Sequence, residues 1–186
     1  LRLGSLQCKD VYRIRSSPGA LQVRIGVTSC IYSYDGKYVI AGTSDGRVSI
    51  WDAKLFSRTK AVLQPYGENS DTAITCVHTI NRSEGDLLVI RGHDGTVFFY
   101  MLRDIALPKL IPYRIIRCYS NNISNANFTF SPDGNTLCLV KNVLKSNSEF
   151  ASLCFYLVDG KSSMEQVRNE QYFEKPYTQV NIEGIH

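Results

Sequence analysis

Residues 27–52 read VTSCIYSYDGKYVIAGTSDGRVSIWD. Ile31, Tyr38, Val39, Ile40, Val48 and Ile50 are β-branched or aromatic side chains that suit a pleated surface. Asp35-Gly36 and Asp45-Gly46 interrupt them, and Asp-Gly between short apolar runs favours a tight reversal, because glycine accepts positive φ without strain. The stretch therefore folds as three antiparallel strands joined by two close turns.

Working outward, the same text returns. Asp-Gly at 45–46 recurs at 94–95, an offset of 49, and Asp-Gly at 35–36 recurs at 133–134, twice that offset. The second unit is AITCVHTINRSEGDLLVIRGHDGTVFFYM (73–101). The third is ISNANFTFSPDGNTLCLVKN (123–142), resuming as SLCFYLVDG at 152–160. Cys30 and Cys76 fall in equivalent stretches, as do Trp51, Tyr100 and Tyr156. A fourth, outer strand is expected in each linking segment, at 61–65, 114–119 and 167–173. Stretch 102–112 holds Pro108 and Pro112 and reads as a loop. Nothing in the chain reads as a helix.

Small antiparallel sheets repeated every 40–50 residues are the mark of β-propeller blades. Such a sheet is apolar on both faces and must be sandwiched between neighbours. The expected fold is all-β: about three complete four-stranded blades plus flanking strands, part of a larger propeller. Residues 1–26 hold the end of a preceding blade and a linker, with VYRIR (11–15) as its outer strand. Blades follow at 27–72, 73–122 and 123–176, the last with an insertion at 143–152 between its second and third strands. Residues 177–186 are expected to open a following blade. Three blades fall short of the four to eight that close a ring. Either a longer protein completes it, which the first residue, Leu1, favours, or two copies meet through strand edges.

Gly42-Thr43-Ser44-Asp45-Gly46-Arg47-Val48-Ser49-Ile50-Trp51-Asp52 resembles the ending of a WD40 repeat. That resemblance assigns Asp45 and Trp51 to the buried hydrogen-bond network of such repeats. In the second unit Asp94 matches, while Ile90 and Tyr100 stand where the network has Ser and Trp. Ala41 replaces the serine in the first unit, so these blades rely more on apolar packing. Asp45, Trp51, Asp94, Tyr100 and Tyr156 are read as blade-structural. More narrowly, VTSCIYSYDGKYVIAG (27–42), Arg91-Gly92, FSPDG (130–134) and the insertion resemble WD proteins related to the gastrulation-defective protein of flies. That resemblance implies a nuclear protein in assemblies linked to chromatin, DNA damage or RNA processing.

No catalytic constellation is present: no Gly-x-Ser-x-Gly, HExxH, phosphate-cradling GxxxxGK[ST] or helix-opening GxGxxG. His78, His93 and His186 lack metal-ligand spacing, and His78 reads as a packed or surface histidine. An enzyme is not expected, and no cofactor, metal or small-molecule substrate is implied. The net charge of +4 comes from 21 basic and 17 acidic residues scattered along the chain, without the single basic stripe of a dedicated nucleic-acid binder. No apolar run approaches the roughly 18 residues of a membrane span. Six cysteines show no CxxC pair. Several lie in apolar runs (CIY, TLCLV, LCFYL) and read as reduced, packed thiols of an intracellular protein.

What remains is a protein-interaction scaffold, with loops presenting binding residues on a rigid frame. Direct contact with RNA or DNA stays open as an alternative, as does a substrate receptor of a cullin-4 type ubiquitin ligase. Arg91, in the place of Gly42, is a candidate for gripping a partner's carboxylate or phosphate through its fork of donors, or else an internal ion pair with Asp94 or Asp45. Arg103 follows Tyr100-Met101, where the resemblance to cullin-4-docking WD proteins implies an Arg two places after Trp-Asp. The first unit keeps Trp51-Asp52 but has Lys54. Within the insertion KNVLKSNSEFAS (141–152), expected as a polar loop, Phe150 anchors a partner or covers the blade edge.

Overall fold

A computed structural model describes residues 25–55, 59–68, 70–83, 85–105, 110–117, 128–145, 148–158 and 178–182, with backbone alone for 140–152 and 178–182. Among the described residues, twelve strands form three four-stranded antiparallel sheets. The first is β1 (Val27–Tyr32), β2 (Tyr38–Thr43), β3 (Val48–Asp52) and β4 (Thr59–Leu63) in chain order. The second is β5 (Ile74–Ile80), β6 (Leu87–Gly92), β7 (Val97–Met101) and β8 (Arg114–Ile116). The third is β9 (Phe128–Phe130), β10 (Thr136–Lys145), β11 (Ser148–Leu157) and β12 (Thr178–Ile182).

The register repeats along with the sequence. Trp51 lies opposite Val39, Tyr100 opposite Leu88, and Tyr156 opposite Leu137. The first two pairs are 49 residues apart at both members. Inner strands β1 and β5 are offset by 47 instead, since Ile31 faces Ile40 while His78 faces Val89. Cys30 therefore matches Val77 in register, and Cys76, opposite Arg91, matches Ser29, opposite Gly42. The bulge between Val27 and Ser29 returns between Ile74 and Cys76.

The turns explain why Asp-Gly is the recurring word. Ser33 Oγ donates to Asp35 (2.7 Å) and accepts from the Tyr38 N–H (2.9 Å), while Asp35 accepts from the Lys37 N–H (3.0 Å). Ser131, Asp133, Asn135 and Thr136 repeat these three bonds 98 residues on. Gly36 and Gly134 close both turns at φ of 68° and 70°, where a side chain would be strained. Past the third strand of each sheet, the Ala53, Leu102 and Val158 N–H groups donate to the Lys37, Asp86 and Asn135 carbonyls.

Alternating side chains build two cores. Ile40, Val48, Ile50 and Leu63 of the first sheet pack on Leu88, Ile90, Phe98, Tyr100 and Ile115 of the second. From the opposite face of the second sheet, Leu87, Val89, Val97, Phe99, Met101 and Ile116 pack on Leu137, Leu139, Cys154 and Tyr156 of the third. All six residues of β6 are buried, which explains its nearly unbroken apolar text. Each fully buried aliphatic or aromatic side chain contributes about 1.5–3 kcal/mol, so the sheets depend on one another. Glycine permits the closest approach: a Cβ on Gly42 would lie 2.5 Å from Ile74 Cγ2.

Three expectations change. The insertion is not a loop, because β10 and β11, ten residues each, extend as a hairpin in which Val143 pairs with Phe150 and Lys145 with Ser148. Pairing between the two arms carries the ladder on through Lys, Asn and Ser instead of ending it. Thr178–Ile182, expected to open a following blade, instead pairs with β11 and supplies the fourth strand of the third sheet. Ladder hydrogen bonds from the lengthened β11 are satisfied that way. Cys30 is exposed rather than packed, because it lies on β1, at the edge of the first sheet. The outer strands expected at 61–65 and 114–119 sit at Thr59–Leu63 and Arg114–Ile116. Segments 11–15 and 167–173, with Cys8 and Cys118, lie outside the described residues. Among the described residues there is no α-helix; Leu102–Asp104 forms one 3-10 turn.

Candidate protein-binding face

The β1–β2 and β5–β6 turns and the 3-10 turn after β7 meet at one end of the first two sheets. They enclose a cleft of about 260 Å³ lined by Asp35, Lys37, Tyr38, Asp86, Leu102, Arg103 and Ile105. Each wall has a local cause. Asp35 and Lys37 are fixed by the Ser33–Tyr38 turn. The Leu102 N–H donates to the Asp86 carbonyl (2.9 Å), which starts the 3-10 turn and sets Arg103 outward. Buried Leu102 and Ile105 belong to the core between the first two sheets and form an apolar floor.

The rim carries both signs of charge. Lys37 Nζ sits 2.8 Å from Asp35 Oδ2. That bond, then the Ser33 hydroxyl, lowers the Asp35 carboxyl to about 2, and the Lys37 ammonium is raised in turn by Asp35. Asp86 accepts from Asn81 Nδ2 at 2.8 Å. Arg103 Nε lies 3.9 Å from Asp104, and its side chain is 65% exposed. An apolar floor under such a rim suits a side chain or loop of another protein. No nucleophile stands beside a base in it. Among the described residues, no group of three His, Cys, Asp or Glu is placed to hold a metal ion.

The candidates from sequence separate. Arg103 stands in this cleft. Arg91 does not reach a face: it is only 6% exposed, opposite Cys76 and Val97 within β6. Its side chain leaves the sheet on the side covered by the third sheet, so burial overrides its place near a turn. Phe150 lies in β11, and its side chain is outside the described residues. Asp45 accepts from the Thr43 hydroxyl and pairs with Arg47 Nε at 3.1 Å. Asp94 accepts from the Thr96 N–H and hydroxyl and from the Tyr66 hydroxyl. Tyr100 and Tyr156 are buried, while Trp51 is half-buried. His78 stacks on Phe130 with ring centroids 5.7 Å apart, and desolvation lowers its pKa. Lys37, Tyr38, Asp86 and Ile105 went unrecognised as cleft residues. Their signal was available, since both first turns and the segment after the third strand must emerge at the same end of stacked sheets.

Comparison with known proteins agrees with this architecture. Residues 22–52 match the family model described as "WD domain, G-beta repeat". The chain is 32% identical over 130 residues to WD repeat-containing protein 70 of Xenopus tropicalis, covering 69% of this chain and 19% of that protein. It thus spans about a fifth of the length of the curated relatives it matches. In fold it is similar to the Cps50 (Swd1) β-propeller domain of Myceliophteria thermophila, with a TM-score of 0.55 and 17% identity over 74% of this chain and 42% of that one. It is also similar to a chain of the Mitotic Checkpoint Complex, with a TM-score of 0.50 and 16% identity over 72% of this chain and 34% of that one. The three stacked sheets are blades, and the chain is part of a WD40-repeat β-propeller.

Proposed function

We propose that this chain is part of a non-catalytic scaffold that holds other proteins within nuclear multi-protein assemblies. WD40 propellers act as protein-interaction scaffolds. The observation that carries the reading here is the cleft between the first two blades, where Arg103 stands exposed above an apolar floor that two packed sheets hold rigid. Binding residues on a stiff frame lose little freedom when a partner docks. The nuclear setting is supported by the resemblance of 27–42, Arg91-Gly92 and FSPDG to the gastrulation-defective-related proteins. The work in chromatin, DNA damage or RNA processing rests on the same resemblance.

Affinity capture from nuclear extract tests the proposal, with the full-length protein and its Arg103→Ala variant as baits. Because Arg103 is exposed, the variant keeps its unfolding midpoint but loses a defined subset of proteins by about tenfold or more, the effect of ~1.4 kcal/mol. Recovery of the same proteins by both baits contradicts the role of the cleft. Direct binding of RNA or DNA whose affinity falls steeply with salt, through phosphate neutralisation, contradicts the protein-scaffold reading.

A further inference from the structure

The charges around the cleft already answer one another. Asp35 holds Lys37 at 2.8 Å, Arg103 lies 3.9 Å from Asp104, and Asp86 accepts from Asn81. A carboxylate or phosphate arriving there meets Asp35, Asp86 and Asp104, while an ammonium or guanidinium meets Lys37 and Arg103. Either ion competes with a partner already in place and is repelled by its own sign. The rim therefore favours an uncharged occupant.

The walls narrow its chemistry. Leu102 and Ile105 form the floor, and the Tyr38 ring packs against the same core. Arg103 adds a planar guanidinium, which stacks on the face of an aromatic ring and gains nothing comparable from an aliphatic chain. About 260 Å³ suits one large side chain and is too small for a helix about 10–12 Å across. The β1–β2 turn, the segment after β3 and the segment between β7 and β8 all emerge at this end of the two sheets. They carry Tyr34, Leu55 and Ile111, each exposed. Exposed apolar groups around a pocket mark protein-binding sites, in which a central aromatic anchor is ringed by contacts that keep water out.

We propose that the cleft takes one aromatic side chain (tryptophan, tyrosine or phenylalanine) from an uncharged stretch of a partner protein, seated on Leu102 and Ile105 with the Arg103 guanidinium against its face. This rests on the reading of the cleft as the protein-binding site and adds the chemistry of the anchor.

The test pans a library of displayed random peptides on the full-length protein, with its Arg103→Ala variant as the counter-selection. Enriched peptides share an aromatic residue without flanking charge, and they shift the methyl NMR signals of Leu102 and Ile105. Arg103→Lys keeps the charge but not the plane, and weakens these peptides by about three- to fivefold. Replacing the aromatic by leucine weakens them by as much. No enriched peptide, enrichment of acidic or purely aliphatic peptides, or equal binding to Arg103→Lys overturns the proposal. An RNA or DNA oligonucleotide that shifts the same methyl signals overturns it in favour of nucleic acid. Nuclear proteins lost from the Arg103→Ala bait without any aromatic peptide selected overturn the anchor alone. Aromatic peptides selected while both baits recover the same nuclear proteins support the anchor and count against the scaffold reading alone.

Discussion

The Tyr66 hydroxyl donates to the Asp94 carboxylate from 28 residues away, in the space that Gly92 leaves by having no side chain. In the first blade, Thr43 holds the place of Gly92 and its own hydroxyl donates to Asp45. The first turn thus carries its hydroxyl donor within the hairpin. The second has Thr96 within its hairpin and takes a further donor from the segment between blades, where Tyr66 also packs edge-on against Phe98 at 4.9 Å.

Tyr66→Phe removes that donor and keeps the ring, so it destabilises the chain by about 0.5–1.5 kcal/mol, the usual net worth of an intramolecular hydrogen bond. Gly92→Ala places a Cβ well inside contact distance of the Tyr66 ring and hydroxyl and costs about 1–3 kcal/mol through overpacking. Because both changes act on one contact, the double variant loses less than the sum of the singles. Urea denaturation of the four proteins checks this.

His78 gives the packing between the second and third blades a pH dependence. Desolvation against Phe130 and Phe128 holds its pKa below the ordinary 6.5, so the imidazole is neutral in the folded state at pH 7. The unfolded chain takes up a proton more readily, and stability is therefore lost as pH falls from about 6.5 toward the folded value. His78→Phe keeps an aromatic face on Phe130 and removes this contribution. Denaturation midpoints at pH 7.5 and 5.5 converge in the variant relative to the parent.

The propeller was legible in the sequence because its signals are local. Asp-Gly turns and the aromatic ending each third strand recur at a fixed spacing that antiparallel pairing preserves. What escaped depends on contacts between blades. Arg91 sits beside a turn in the sequence, but only the third blade makes its position an interior one. Hairpin 143–152 looked like a loop because Lys, Asn and Ser are read as solvated, and the strand pairing that overrides this is non-local. Strand 178–182 is equally apolar as the inner strand of one blade or the outer strand of another; only its pairing with β11 decides. Within the site, Arg103 was visible, whereas Asp86 and Ile105 join it through the stacking of turns that are far apart in sequence.

Equivalent positions should have equivalent weight. Leu88 and Leu137 each lie fully buried opposite the tyrosine next to last in the third strand. Leu88→Ala and Leu137→Ala each cost about 2–5 kcal/mol, the range for large-to-small changes in a core. Tyr34→Ala, at a turn residue that is 71% exposed, stays within about 0.5 kcal/mol of the parent. Guanidinium titrations of the three variants make the comparison.

Asp35 reports on the turn that lines the cleft. Its carboxyl titrates near 2 instead of the ordinary 3.8, chiefly through Lys37 and then Ser33. The stability it adds is complete above pH 3.8 and is lost as pH falls toward 2. Carboxyl-detected NMR follows that midpoint directly, and Lys37→Met raises it toward 3.8.

Amide hydrogen exchange tests the stacking of the blades most directly. With both faces of the second blade covered, the paired amides of Leu87–Gly92 and Val97–Met101 are the slowest in the chain. Those of Val27–Tyr32 and Thr59–Leu63, the largely exposed edge strands of the first blade, exchange faster. Exchange from Leu87–Gly92 as fast as from Thr59–Leu63 would contradict the sandwiched second blade, and with it the rigid frame on which the binding face depends.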